Sequence, residues 1–491
     1  MGTSTTTGSG AIVALGLPPV GSRPRPRVPS LNIAPAEQAS GAELGARALG
    51  NGGCGMSMLS RHGSFPPQPS NPSGPWLLAC LVGVMIVACA PPSSDEEARE
   101  AQGPIVVGSA MPLTGPFASD GEEMEKGIRL AIDDYNAKGG LLGRKITLVT
   151  CDVGALEVDT IQACGERLLG ENPDAIITSY DDSGINTLAF GEGDMPYMHA
   201  VAMRAAVEPV MKNPEKYGNV FQFDPSDFDY GVDAAENLPR IAREIGFQPT
   251  HKSVAAVTTD YAYNVVGAKA FEAKIKDQGY EVAVHEVTPF GVQEWGPILT
   301  KIEQAQPAFV TFWNLDPADA ARFITQLRRH FADTGLNSLV YMQYTPNIPE
   351  FLELAGEDAN GLLWSTVVGV TDEVGRNPDP YTRHFKERNG HEPKSIHPYI
   401  VRDAFDMWAR AAREVGCIEC YDKVIEEIRS TPFKGYAGTY KFAPLEEGQY
   451  ALPGPNLLPT IWSQVQNGKH VQVLPEVVAD GSIQMPPWIP K

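Results

Sequence analysis

From Pro104 onward, short apolar runs alternate with stretches of helical periodicity. The strand-like runs are IVVGSAM (105–111), KITLVTC (145–151), AIITSY (175–180), YMHAVA (197–202), SVAAVTT (253–259), EVAVHEV (281–287), AFVTFW (308–313), SLVYMQY (338–344) and LLWSTVVG (362–369). They are rich in β-branched residues and apolar on both faces, the pattern of strands covered on both sides. Amphipathic stretches lie between most of them. In the first, Met124, Ile128, Ala131 and Tyr135 form one stripe, Ser119 or Asp120 can cap the first turn, and Gly139-Gly140 ends the helix. Further helices are expected at 402–415 and 421–430. The β-α-β-α alternation implies parallel sheets joined by right-handed crossovers.

The αβ units fall into two groups, one ending near 224 and one starting near 253. FQFDPSDFDYG (221–231), rich in turn formers and aromatics, separates them. The pattern predicts an α/β protein of two Rossmann-like lobes with a cleft between them. In open α/β sheets, ligands bind beyond the carboxyl ends of the strands. The loop MPLTGPFASDG (111–121), between the first strand and helix, lies on such an edge.

The first hundred residues break this pattern. Residues 77–88, LLACLVGVMIVA, form an uncharged run too short for a confident membrane span and suited to a signal-peptide core, with Arg61 and His62 upstream. The run ends IVAC, similar to a bacterial lipobox, so Cys89 is expected to be lipidated. The alternatives are an ordinary cleaved signal peptide or an uncleaved anchor. The segment 90–103 reads as a flexible tether. Residues 1–55 are expected to be disordered or absent, with 56–89 the signal peptide and translation starting at Met56 or Met58. A peptide from residues 1–50 in mass spectrometry would remove that expectation.

Composition changes little in this picture. The formal net charge of −21 argues against a nucleic-acid partner, which needs a basic face; acidic surface also keeps a protein soluble. Among the seven cysteines, Cys151/Cys164 and Cys417/Cys420 form two close pairs. In an exported chain these suit two disulfides, Cys151 with Cys164 and Cys417 with Cys420. A redox pair or half a zinc site is the other reading of Cys417-Ile418-Glu419-Cys420, but no second C-x-x-C is present. There is no P-loop, no G-x-S-x-G and no H-E-x-x-H. No enzyme activity, metal or cofactor is expected.

An ordered set of segments resembles the type I periplasmic solute-binding proteins of ABC importers, the branched-chain amino acid or amide-binding (leucine-binding-protein-like) branch. They are LTGPFASDG (113–121), GIRLAIDDYNAKGGLLGRKI (127–146), SYDDSG (179–184), TTDYAYNVVGAKAF (258–271), EWGPILTKIEQAQPAFVTFW (294–313) and WSQVQNGKHVQVLPE (462–476). The resemblance covers about 104–476. It implies a periplasmic binding protein type I fold with three crossings between lobes, the N-terminal lobe being 104–224 plus 367–432 and the C-terminal lobe 225–366 plus 433–491. It also implies capture of a small polar solute between the lobes, permease subunits as partners, and an exported, membrane-anchored lipoprotein. A ligand-sensing module of a signalling system is the alternative use of the fold.

By position, the resemblance places the solute against Thr114, Phe117, Ala118 and Ser119; Tyr180 and Ser183; His199 and Met203; Tyr263; Asn314 and Asp316; and Tyr344. Some of these have structural readings. Phe117 suits packing under the helix, His199 a hydrogen-bonded core histidine, and Asp316 a cap for the helix starting at Pro317. Trp295 reads as core, and Trp313 as either core or site. Two departures from the family pattern stand out. The third loop, HAVAM (199–203), lacks the expected hydroxyl, and Tyr344 or Thr345 stands where an acidic partner for an α-ammonium is expected. An ammonium buried without a charge partner is costly. A neutral amide, a urea-like compound or an aromatic acid therefore fits better than an unmodified amino acid, unless Asp181, Asp182 or Asp316 substitutes.

Overall fold

In the computed structural model, residues 103–115, 117–180, 184–367 and 380–490 are described. The segments at 1–55, 56–89 and 90–102, with Cys89, and residues Asp181, Asp182 and Ser183 lie outside them. The chain runs β1 (Ile105–Met111), α1 (Ala118–Ala137), β2 (Ile146–Asp152), α2 (Val158–Gly170), β3 (Ala175–Thr178), α3 (Ile185–Phe190), β4 (Tyr197–His199), α4 (Arg204–Lys212), α5 (Pro214–Tyr217) and β5 (Val220–Gln222). These strands form one parallel sheet in the order β2-β1-β3-β4-β5.

The second half runs α6 (Asp227–Glu244), β6 (Ser253–Thr259), α7 (Ala262–Asp277), β7 (Glu281–Thr288), α8 (Gly296–Ala305), β8 (Phe309–Trp313), α9 (Pro317–His330), β9 (Leu339–Gln343), α10 (Pro349–Ala355) and β10 (Leu363–Thr366). Its parallel part, β7-β6-β8-β9-β10, repeats the strand order of the first sheet. After these come α11 (Pro380–Asn389), α12 (His397–Val415), α13 (Tyr421–Ser430), the short ribbon β11 (Phe433–Lys434) and β12 (Thr439–Tyr440), and the strands β13 (Ile461–Gln466) and β14 (Lys469–Leu474). β13 pairs antiparallel with β10, and β14 antiparallel with β13. The second sheet is thus mixed, not wholly parallel. A tight turn at Asn467-Gly468, both at positive φ, makes that hairpin.

The apolar pattern is explained by burial. Met124, Ile128 and Ala131 are fully buried, and α1 packs on α12 through them. Gly127 permits the approach, since a Cβ there would stand 2.9 Å from the Pro398 Cα. α1 begins at Ala118 with Phe117 as the capping residue and no side-chain cap. Ser119 and Asp120 therefore lie inside its first turn, and their side chains are engaged elsewhere. β7, on the sheet edge, buries only one in every few side chains, so both-face apolarity does not hold there. Trp295 is fully buried edge-on to Phe312 and Phe323. Trp313 is likewise core, with its Nε1 donating to Thr311 Oγ1 at 3.1 Å.

Two disulfides are present, Cys151–Cys164 joining β2 to α2 and Cys417–Cys420 in the link between α12 and α13. Late segments return to the first sheet. Gln449 Nε2 donates to the carbonyls of Gly218 (3.0 Å) and Val220 (2.9 Å), and Tyr450 bridges to Gln222 of β5. Asp403 on α12 is buried and accepts from the amides of Tyr436 (2.8 Å) and Ala437 (2.9 Å) and from the Tyr440 hydroxyl (3.0 Å). Burial pushes its carboxyl up to about 7 against the pull of those donors.

Candidate functional site

A small cavity of about 60 Å³ lies where the carboxyl ends of the two sheets meet. From the first sheet come Ser179 and Tyr180 after β3, Ala200 to Met203 after β4 and Asp224 after β5. From the second come Tyr261 and Tyr263 after β6, Leu315 after β8 and Tyr344 after β9. Tyr230 of α6, Ile396 and His397 complete it. Each parallel strand ends on this side, and β1/β3 and β6/β8 are the points where strand order reverses, which opens a crevice in such sheets.

The walls are held by one hydrogen-bonded chain. Tyr344 crosses from the second sheet and donates to Asp120 Oδ2 of α1 at 2.8 Å. Its oxygen is 2.9 Å from His397 Nε2, and His397 Nδ1 is 2.8 Å from Ser179 Oγ. A single neutral tautomer satisfies both contacts, with Nε2–H donating to Tyr344 and Nδ1 accepting from Ser179. Burial lowers the His397 pKa, against the pull of Asp120. The Tyr180 hydroxyl donates to the same Asp120 oxygen, and Phe117 stacks on the Tyr180 ring at 5.1 Å. The backbone of Tyr344 has φ 61° and ψ −56°. A bulky residue adopts positive φ only at a cost of about 1–3 kcal/mol, so surrounding contacts must over-determine it.

Of the residues expected at the site, Tyr180, Met203, Tyr263 and Tyr344 line the cavity. Phe117 backs Tyr180 from outside, and Ala118 opens α1 beside it. Ser119 Oγ donates to Glu350 Oε1 of α10 at 3.1 Å, a second contact from α1 to the other half. Thr114 Oγ1 instead donates to Asp152 Oδ2 at 2.8 Å. Burial works to raise the Asp152 pKa, but donors from Gly154, Thr114 and Leu113 hold it below the usual range. Asp316 accepts from the amides of Ala318 (2.8 Å) and Asp319 (2.9 Å) and caps α9, while Asn314 Oδ1 accepts from the Asp316 amide. His199 is buried in β4 beside the Tyr197 ring, outside the lining, and burial pushes its pKa down to about 3. Ser183 lies outside the described residues.

The lining also contains residues that the pattern did not single out. Asp224 is 2 % exposed, and its Oδ1 has no hydrogen-bond partner among the described residues. Burial alone drives its carboxyl well above the usual range. Neighbouring Asp227 is raised by burial to about 7 although the amides of Arg204 and Phe228 donate to it. Asp224, Asp227 and Tyr230 belong to FQFDPSDFDYG, whose density of acids and aromatics was the available signal. His397 had none, because it arrives from a distant helix. Among the described residues no group of His, Cys, Asp or Glu could hold a metal ion, and no helix is long and apolar enough to cross a membrane.

The sequence matches the model of the periplasmic binding protein family over residues 104–451. The chain belongs to that family. A Leu/Ile/Val-binding protein homolog (number 7) of Brucella melitensis is 27% identical over 254 residues, 51% of this chain and 59% of that protein. The chain thus spans about three-fifths of the length of that curated relative. The crystal structure of a candidate branched-chain amino acid ABC transporter protein from Silicibacter pomeroyi matches with a TM-score of 0.72 and 29% identity, over 78% of this chain and all of that one. A leucine-binding protein from Thermotoga maritima shares the fold, with a TM-score of 0.59 and 21% identity over 75% of this chain and 97% of that one. The α/β architecture of this periplasmic binding protein is therefore the type I one, with two sheets of like topology.

Proposed function

We propose that this protein captures a small solute in the cavity between its two sheets and presents it to the permease of an ABC importer. The observation that carries this reading is the cavity itself, lined by strand ends from both sheets and bridged by the Tyr344 contact to Asp120 and His397. About 60 Å³ leaves room for only a few waters. In this reading a solute enters an opened form, and closure around it is a hinge motion. The lobes, in the same reading, divide as 104–224 with 367 to about 451, and 225–366 with the remainder; the lie of Gln449 and Tyr450 along β5 supports a third crossing later than the 432/433 boundary expected from the sequence.

The names of the relatives point to amino acids, and the protein's own lining qualifies that. The hydroxyl-free loop 200–203 offers no side-chain donor for a carboxylate, whereas Asp224 supplies the acid that is absent after β9. The solute classes carried forward are amino acids, amides, urea-like compounds and aromatic acids. Thr114, Phe117, Ala118, Ser119, Ser183, His199, Asn314 and Asp316 act, in this reading, behind or beside the lining. Export and lipidation at Cys89 rest on the IVAC sequence and would keep the receptor beside its permease.

A thermal-shift screen over those classes tests the reading. A solute that binds only the folded protein adds about 2.7 kcal/mol at a hundredfold excess over its Kd. Tyr263→Ala is expected to abolish that shift; a solute whose shift survives it binds somewhere else. Palmitate labelling lost in Cys89→Ala would support the anchor, and its absence in the unchanged protein would remove it.

A further inference from the structure

The charge balance of the cavity is one-sided. Among the described residues, its lining holds one carboxylate, Asp224, one histidine and no lysine or arginine. The polar groups around it are already engaged. Both nitrogens of His397 have partners, Ser179 Oγ is taken by His397, and the hydroxyls of Tyr180 and Tyr344 meet at Asp120. Asp224 is the exception: Oδ1 is buried without a partner among the described residues. Tyr230 and Tyr263 share the lining with it, and their ionisation is opposed first by burial and then by nearby acids, including Asp224. Asp227 Oδ2, also buried and unpartnered among the described residues, adds a second acid nearby.

A buried carboxyl oxygen with no donor carries a desolvation penalty that a donor from a bound ligand would relieve. What completes Asp224 is a donor, and best a cationic one, since opposite charge restores the ionised form. Aromatic faces around a cation add to this. A ligand carboxylate would enter the same low-dielectric space beside an acid, with no basic side chain and no side-chain hydroxyl from 200–203 to receive it.

We infer that Asp224 is the specificity-determining residue of this receptor and that the ligand it selects is a small protonated amine, bound through its ammonium group, with no carboxylate required. This rests on reading the cavity as the solute site, and it sets the protein apart from a receptor that needs both ends of an amino acid.

The test is titration calorimetry with compounds sharing one carbon skeleton: leucine, leucinamide, isoamylamine and 4-methylpentanoate, with methylamine and benzylamine to vary size. One or more of the amines or leucinamide is expected to bind at least as tightly as leucine, and 4-methylpentanoate not to bind. Asp224→Asn, close in shape, is expected to weaken the bound amine about a hundredfold while the protein melts cooperatively. Leucine binding more tightly than every amine and leucinamide would overturn the inference, as would the absence of any amine binding. A solute that ignores Asp224→Asn but is lost in Tyr263→Ala would overturn the amine assignment and leave the cavity as the solute site. A solute indifferent to both substitutions would overturn both readings.

Discussion

Tyr344 and Asp120 come from different sheets and meet at 2.8 Å, the hydroxyl donating to the carboxylate across the cleft. Tyr344 closes β9 of the second sheet, and Asp120 sits in the first turn of α1 above the first. The contact spans 224 positions of sequence. A donor to a charged acceptor is worth about 1.5–3 kcal/mol. Tyr344→Phe removes it while keeping the ring and leaving Asp120 its bond from Tyr180. The variant is expected to bind solute about tenfold more weakly and to show a larger radius of gyration in solution scattering without solute. Unchanged scattering and affinity would mean the hydroxyl does not hold the closed form.

Asp224 makes the stability of the solute-free protein depend on pH. Its folded pKa is raised, so the folded state holds the proton more tightly than the unfolded one. The sign follows: its contribution is most favourable below the unfolded value near 3.8 and is lost as pH rises through the raised folded value. Asp224→Asn lacks this loss. Its melting temperature relative to the unchanged protein is expected to improve as pH goes from acid to alkaline. A difference that is flat in pH would place the carboxyl near its ordinary range.

His199 runs the other way. Its folded pKa of about 3 lies below the unfolded 6.5, so its contribution is present above 6.5 and is lost as pH falls toward 3. The maximal slope is about 1.4 kcal/mol per pH unit. His199→Gln is expected to flatten the acid side of the stability curve between these values, read by denaturant titration at several pH values. An unaltered slope would show that the imidazole reaches solvent.

Trp295 supports the second sheet and not the cavity. Fully buried against Phe312 and Phe323, it should cost about 3–5 kcal/mol on truncation to Ala. Solute affinity of the folded fraction is expected to stay the same. A selective loss of affinity would tie this core to the site.

Gly231 and Gly267 let α6 and α7 touch. A Cβ on Gly231 would stand 2.3 Å from the Gly267 carbonyl oxygen, so Gly231→Ala must push the helices apart. A fall of several degrees in melting temperature is expected, where an ordinary helical Gly→Ala would raise it.

The sequence by itself determined the repeating part of this protein. β1, β6, β8 and β9 fall where apolar β-branched runs place them, and α13 where the 3.6-residue stripe does, because those patterns record burial by immediate neighbours; α12 starts at His397, ahead of the expected 402. β13 and β14 were less legible as strands: Ser463, Gln464 and His470 are buried polar residues that only pairing and distant contacts make tolerable. The helix start at Ala118 was displaced for a similar reason, since Asp120 serves Tyr180 and Tyr344 instead of capping. At the cavity, Tyr180 and Tyr263 could be named from the family resemblance, which ties them to positions just after β3 and β6. Asp224 and His397 could not. The first matters because nothing donates to it among the described residues, and the second because a helix starting at 397 reaches a loop starting at 179. Partnership and its absence are properties of space, and only the tertiary structure decides them.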